Sequence, residues 1–70
     1  MWNKQQIQEL KAAAYHFTGD EDIRDHLTAL NVCLNNYERQ PMVHKKRELW
    51  KAVETEADYV STRLSSLSAE

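Results

Sequence analysis

Apolar residues recur at three- and four-residue spacings along three segments of the chain, which is the periodicity of a helix with one buried face. In the first segment, residues 4–17, this face consists of Ile7, Leu10, Ala14 and Phe17. In the second, residues 20–37, steps of four and three alternate through Ile23, Leu27, Leu30, Leu34 and Tyr37. The pattern predicts two amphipathic helices, the first of them capped by Asn3.

Turn residues separate these helices from each other and from a third. Gly19 interrupts the first pattern, and Thr18 to Glu21 fits a Thr-x-x-Glu capping box, with Asp20 as the alternative N-cap. Pro41 cannot continue the second helix, but it suits the first position of a new one. The third helix is therefore predicted over residues 41–67, with an apolar face made of Met42, Leu49, Val53, Ala57, Val60, Leu64 and Leu67.

The predicted helices differ in length, and this difference shapes the expected architecture. At 1.5 Å per residue they measure about 20, 27 and 40 Å, so one end of the long helix extends past its neighbours unless the first helix packs end-on or a second copy of the chain completes the core. The second copy is the favoured alternative. We expect an all-α single domain over residues 1–70, a small three-helix hairpin or bundle with a long C-terminal helix, completed by homo-oligomerisation. The predicted contacts with the second copy, or with another protein, are Trp50, Val43, Tyr59, Val53, Val60, Leu64 and Leu67.

Composition agrees with a folded helical protein. Apolar residues make up 41% and charged residues 29% of the chain, which lies outside the range of disordered sequences, and one Gly and one Pro are too few for a β-protein. The N-terminal segment has no apolar stretch of the signal-peptide type, and no apolar run approaches the roughly 20 residues of a membrane span. With a single cysteine, Cys33, these features predict a cytoplasmic protein without an internal disulfide.

Charge is concentrated in one place. Residues 38–51 carry five cations against two carboxylates, in a chain whose net charge is −2. If Pro41 opens the third helix, these cations lie near the positive end of its dipole, which disfavours them. An anionic partner would relieve this repulsion between the cations and the dipole. The predicted anion-binding or acid-binding residues are His44, Lys45, Arg47 and Lys51. The alternative is a solvated helix face on which Lys46 lies along the apolar stripe.

Residues that could support metal binding or catalysis form no known pattern. The segment from His16 to His26 contains three aspartates between its histidines, but lacks zinc or calcium ligand spacing. We expect a capping acidic turn with an Asp22–His26 contact, no metal and no cofactor. Cys33, at the edge of the second helix's stripe, is expected to be a buried thiol, and no enzymatic activity is expected.

Three functions remain open at this point. The favoured one is a non-enzymatic protein-binding module, such as an adaptor, inhibitor or assembly factor, that presents a helix face to a protein partner or to its own copy. The second is a small dimeric regulator that binds nucleic acid through residues 44–51, against which stands the acidic balance of the chain. The third is binding of a small anion such as a nucleotide. In style the chain is similar to the short helical accessory proteins of phages and plasmids.

Overall fold

A computed structural model describes residues 1–69, and within that range all regular structure is helical. Helix α1 spans Lys4–Ala14 and continues into a 3-10 turn at Tyr15–Phe17, α2 spans Glu21–Arg39, and α3 spans Val43–Ala69. The predicted three-helix, all-α fold is confirmed. Glu70, which the predicted domain includes, lies outside the described residues.

Side chains define the start of the first two helices. Asn3 forms a reciprocal capping box with Gln6, as the Asn3 side chain accepts from the Gln6 N–H at 2.8 Å and the Gln6 side chain accepts from the Asn3 N–H at 3.0 Å. Asp20 caps α2 by accepting from the Ile23 N–H at 3.1 Å. The Thr18 capping box is not formed, because Thr18 has helical backbone angles whereas Asp20 has the extended angles that an N-cap requires.

Helix α3 begins two residues later than predicted. The Met42 carbonyl accepts the first helical hydrogen bond, from the Lys46 N–H at 2.9 Å, and the Met42 N–H donates to the Gln40 side chain at 3.2 Å. Pro41 therefore belongs to the turn between α2 and α3. Its ring fixes the backbone in this turn but does not open the helix.

Helices α2 and α3 form an antiparallel hairpin. Asp20 at the start of α2 pairs with Arg63 near the end of α3 at 2.7 Å, and Tyr37 near the end of α2 contacts Trp50 near the start of α3, with ring centroids 5.1 Å apart. Asp20 also accepts from the Arg63 Nε at 3.4 Å. The two ends of the hairpin are thus fixed by different interactions, an ion pair at one end and an aromatic pair at the other.

Helix α1 runs alongside the C-terminal half of α3. The Trp2 backbone N–H donates to the Glu54 carboxylate at 2.9 Å and the indole N–H donates to Asp58 at 2.8 Å. Lys4 pairs with Glu38, at the end of α2, at 3.3 Å. The N-terminus of α1 therefore lies beside the middle of α3, and α1 extends from there toward the end of the hairpin that holds Asp20.

The core lies in the half of the molecule that contains all three helices. Its buried members are Ile7, Leu10 and Ala14 from α1, Ile23, Leu27 and Leu30 from α2, and Val53, Ala57, Val60 and Leu64 from α3.

This core corrects the expectation that Val53, Val60 and Leu64 would contact a second copy. Val53 and Val60 are 0% exposed within the single chain, since α1 lies parallel to this half of α3 and covers it together with α2. Leu67 is half-buried against the same core. The half of α3 that α1 leaves uncovered is residues 43–52, the opposite half from the one expected.

Truncation of a core residue tests this packing. We expect Leu30→Ala, at a fully buried position, to lower the free energy of unfolding by about 2–5 kcal/mol, a large share of the stability of so small a domain. Val32→Ala, two residues away and 52% exposed, serves as the matched control and should change it by less than about 0.5 kcal/mol. Urea denaturation followed by circular dichroism measures both, and equal losses would contradict the assigned core.

The Asp20–Arg63 ion pair makes stability depend on pH. The Arg63 guanidinium, and secondly the Ile23 N–H, hold the pKa of Asp20 below its ordinary value of 3.8. A depressed carboxyl pKa contributes stability that is present above the ordinary value and is lost as the pH falls below it. Asp20→Asn keeps an N-cap and removes the charge. We expect it to lower Tm by a few degrees near pH 7 and hardly at all near pH 2, in thermal melts across this range.

Candidate functional site

Helix α1 covers only one half of the α2–α3 hairpin. A groove lies on the surface of the other half, beyond the N-terminus of α1. Its volume is about 440 Å³, and its walls come from the end of α2 and the start of α3. The lining residues are Tyr37, Val43, Lys46, Arg47, Trp50, Lys51 and Glu54. We call this surface the basic groove. Glu54 also accepts a hydrogen bond from the Trp2 N–H, so the basic groove lies next to the N-terminus of α1.

Helical spacing explains why these residues of α3 lie together. Positions 43, 47, 51 and 54 follow one another at steps of three or four residues, and positions 46 and 50 form a neighbouring row that also leads to 54, so all six lie on one broad face of the helix. Trp50 is half-buried against the core, whereas Val43 is 66% exposed at the open end. The tilted rings of Tyr37 and Trp50 provide the apolar floor, with an interplanar angle of 54°.

Cations surround this aromatic floor. The Lys46 ammonium lies 4.7 Å from the centre of the Tyr37 ring, a cation–π distance, and Lys4 approaches the same ring at 5.6 Å. Among residues 1–69, neither Arg47 nor Lys51 takes part in an ion pair. The basic groove therefore combines an apolar floor with positive charge that the chain itself does not neutralise.

The structure divides the residues predicted for binding into two groups. Val43, Arg47, Trp50 and Lys51 come together in the basic groove. His44 and Lys45 are exposed but do not line it. The step of about 100° per residue turns Lys45 to the opposite face of α3, whereas His44 is on the same side as Lys51, two turns before it.

Sequence reasoning missed three residues that line the basic groove: Tyr37, Lys46 and Glu54. Tyr37 is the last member of the apolar stripe of α2, and Lys46 is three residues from Val43 and four from Trp50. Their spacing was therefore visible, but the sequence did not show that the ends of the two stripes face each other. The cation–π contact also means that Lys46 lies along an apolar surface, as the alternative interpretation of the cluster held.

Tyr59, the remaining predicted interface residue, belongs to a different surface. It is 43% exposed and stacks on His26 of α2, with ring centroids 3.7 Å apart and an interplanar angle of 25°. His26 Nδ1 lies 2.7 Å from a carboxylate oxygen of Glu56. The predicted Asp22–His26 contact is wrong, since His26 pairs across the hairpin and Asp22 lies 4.0 Å from Arg63.

Cys33 lies near this cluster at the margin of the core. Burial, and secondly the Glu56 carboxylate, raise the pKa of the Cys33 thiol. A raised pKa keeps the thiol protonated at neutral pH, and the protonated form is a poor nucleophile. Cys33 packs against the core but is only partly buried, less than the buried thiol that its position in the stripe predicts.

Two further properties concern the described part of the chain as a whole. Within residues 1–69, His, Cys, Asp and Glu form no group of three or more that could hold a metal ion. In the same residues, none of the helices has both the length and the apolar character needed to cross a membrane.

Comparison of the chain with protein families, with curated proteins and with solved structures gives no match. The basic groove is therefore the starting point for assigning a function.

Proposed function

We propose that this protein is a non-enzymatic interaction module, and that its basic groove binds an acidic amphipathic helix of a partner protein. The observation that carries the proposal is the missing third helix beside residues 43–54. In the other half of the molecule, α1 packs against both α2 and α3, and in this half the equivalent position is open.

The shape of the basic groove favours a helical ligand. A short helix laid into an apolar groove between two others is a common mode of peptide recognition, with anchors at positions i, i+3 or i+4, and i+7. Residues 43–54 extend for about 17 Å, which matches about three turns of helix. Tyr37, Val43 and Trp50 offer the apolar contacts for such anchors, and aromatic residues of this kind supply much of the binding energy at interfaces.

The charge of the basic groove favours an acidic ligand. Lys46, Arg47 and Lys51 line it against the single carboxylate of Glu54, which already accepts a hydrogen bond from Trp2. The positive dipole end of α3 lies at the same place. Carboxylates of a partner helix would pair with Arg47 and Lys51, so that complementary charge selects the ligand and its orientation.

Protein binding is favoured over nucleic-acid binding by the distribution of charge. Lys45 lies on the opposite face of α3 and His44 does not line the groove, which leaves a short basic groove with an apolar floor. The chain as a whole carries a net charge of −2. Nucleic-acid binding proteins usually present an extended basic surface to the phosphate backbone.

A designed peptide tests the proposal. The probe is a labelled helical peptide of about 14 residues with leucine at i, i+4 and i+7 and glutamate beside them, and its control carries lysine in place of glutamate. We expect saturable binding of the acidic peptide only, detected by fluorescence anisotropy. Shifts in a ¹⁵N–¹H correlation spectrum should include the Trp50 indole and the amides of Val43 and Arg47.

Two matched charge reversals locate the binding site. Lys51→Glu, in the basic groove, should weaken binding of the acidic peptide about five- to tenfold, the effect of removing and reversing one exposed charge. Lys45→Glu makes the same change outside the groove and should leave Kd within about twofold. Equal effects of the two variants, or salt-sensitive binding of duplex DNA that exceeds binding of the peptide, would remove the proposed function.

A further inference from the structure

A second groove lies on the other side of Trp2, between α1 and α3. Its volume is about 530 Å³, and it is lined by Met1, Trp2, Gln6, Glu9, Leu10 and Asp58. Both charged side chains in this lining are carboxylates. We call this surface the acidic groove. Met1 at its edge is fully exposed, which gives this groove an apolar contact as well.

The two grooves lie along one stripe of α3. Arg47, Lys51, Glu54 and Asp58 occupy positions i, i+4, i+7 and i+11, the spacing of a single helix face. Positive charge occupies the first half of this stripe and negative charge the second. Glu54 and its bond to Trp2 lie close to the boundary between the halves, and the two grooves are separated by about 15 Å along the helix.

We propose that a second copy of this chain binds on this stripe, with its α3 antiparallel to the first. This inference rests on the proposed function, because it names the second copy as the partner and the segment from Glu54 to Asp58 of its α3 as the acidic helix that faces the basic groove. A two-fold axis between residues 52 and 53 of α3 brings Arg47 of each copy against Asp58 of the other, and Lys51 against Glu54, while Glu9 lies with Asp58 in the acidic groove. A parallel pairing brings like charges together, so the charge order selects the antiparallel dimer.

The symmetry of this arrangement satisfies both grooves at once. An isologous interface uses the same surface on both subunits and closes after two copies.

Charge-reversal variants test the dimer. In Arg47→Glu/Lys51→Glu both halves of the stripe are acidic, and in Glu9→Lys/Asp58→Lys both are basic. We expect wild type to form dimers in sedimentation equilibrium at concentrations up to about 1 mM, the weak end of specific association. Each double variant alone should have a Kd for dimerisation at least about tenfold weaker, and an equimolar mixture of the two should form a heterodimer. Raising the salt concentration from about 0.05 to about 0.5 M should weaken the wild-type dimer.

Controls separate a lost interface from a lost fold. Circular dichroism establishes that each variant is folded, and Glu9→Lys alone replaces the double variant if the loss of the Trp2–Asp58 bond unfolds it. Lys45→Glu should dimerise like wild type. A monomeric wild type, double variants that dimerise as well as wild type, or a mixture that stays monomeric would each overturn the inference.

The proposed function has its own outcome. If wild type is monomeric but still binds the acidic peptide through Lys51, the basic groove serves a different protein and only the dimer is wrong. If wild type is monomeric and the peptide does not bind, both proposals fail.

Discussion

The packing of α1 against the α2–α3 hairpin is the interaction on which the rest of the structure depends. α1 contributes Ile7, Leu10 and Ala14 to the core, and these residues cover Val53 and Val60 in the middle of α3. A domain of this size buries only about 60% of its unfolded surface, so the loss of α1, with three of the ten buried core residues, would expose a substantial part of the core. Trp2 holds the start of α1 in place through its backbone and indole N–H groups.

Helix length then determines where the molecule is open. α1 has 11 residues and α3 has 27, so one can cover only about half of the other. The composition of α3 changes at the same point. Its covered half carries all of its buried residues, whereas residues 43–52 carry the cations and a partly exposed Trp50. This difference in length links the fold to the proposed function, because the basic groove lies on the half of α3 that α1 does not cover.

Local periodicity was sufficient to predict the helices, but it could not predict how they pair. The stripes of Ile23 to Tyr37 and of Val53 to Leu64 were visible in the sequence, and both are buried except for Leu34 and Tyr37, which are partly buried. An apolar stripe has the same sequence pattern whether a helix of the same chain or a second chain covers it. The prediction that a second chain covers Val53 was therefore wrong, because Val53 is buried within the single chain.

The same limit applied to the candidate site. Arg47 and Lys51 were predicted because charge clustering is a local property. The approach of Tyr37 to Trp50, and of His26 to Glu56, depends on the antiparallel register of the hairpin, which no local spacing contains. The N-cap of α2 also depends on backbone conformation, since Asp20 has the extended angles of an N-cap and Thr18 does not.

The most direct test of the account uses the valines of α3. A soluble paramagnetic agent broadens the methyl signals that it can approach, and Val43, Val53 and Val60 lie along the same helix with exposures of 66%, 0% and 0%. The measurement is best made on Arg47→Glu/Lys51→Glu, in which the groove is expected to be unoccupied. Strong broadening of Val43 with protection of Val53 and Val60 is the predicted result. Broadening of Val53 and Val60 to the same extent as Val43 would contradict the account, since α1 would then not cover this half of the helix.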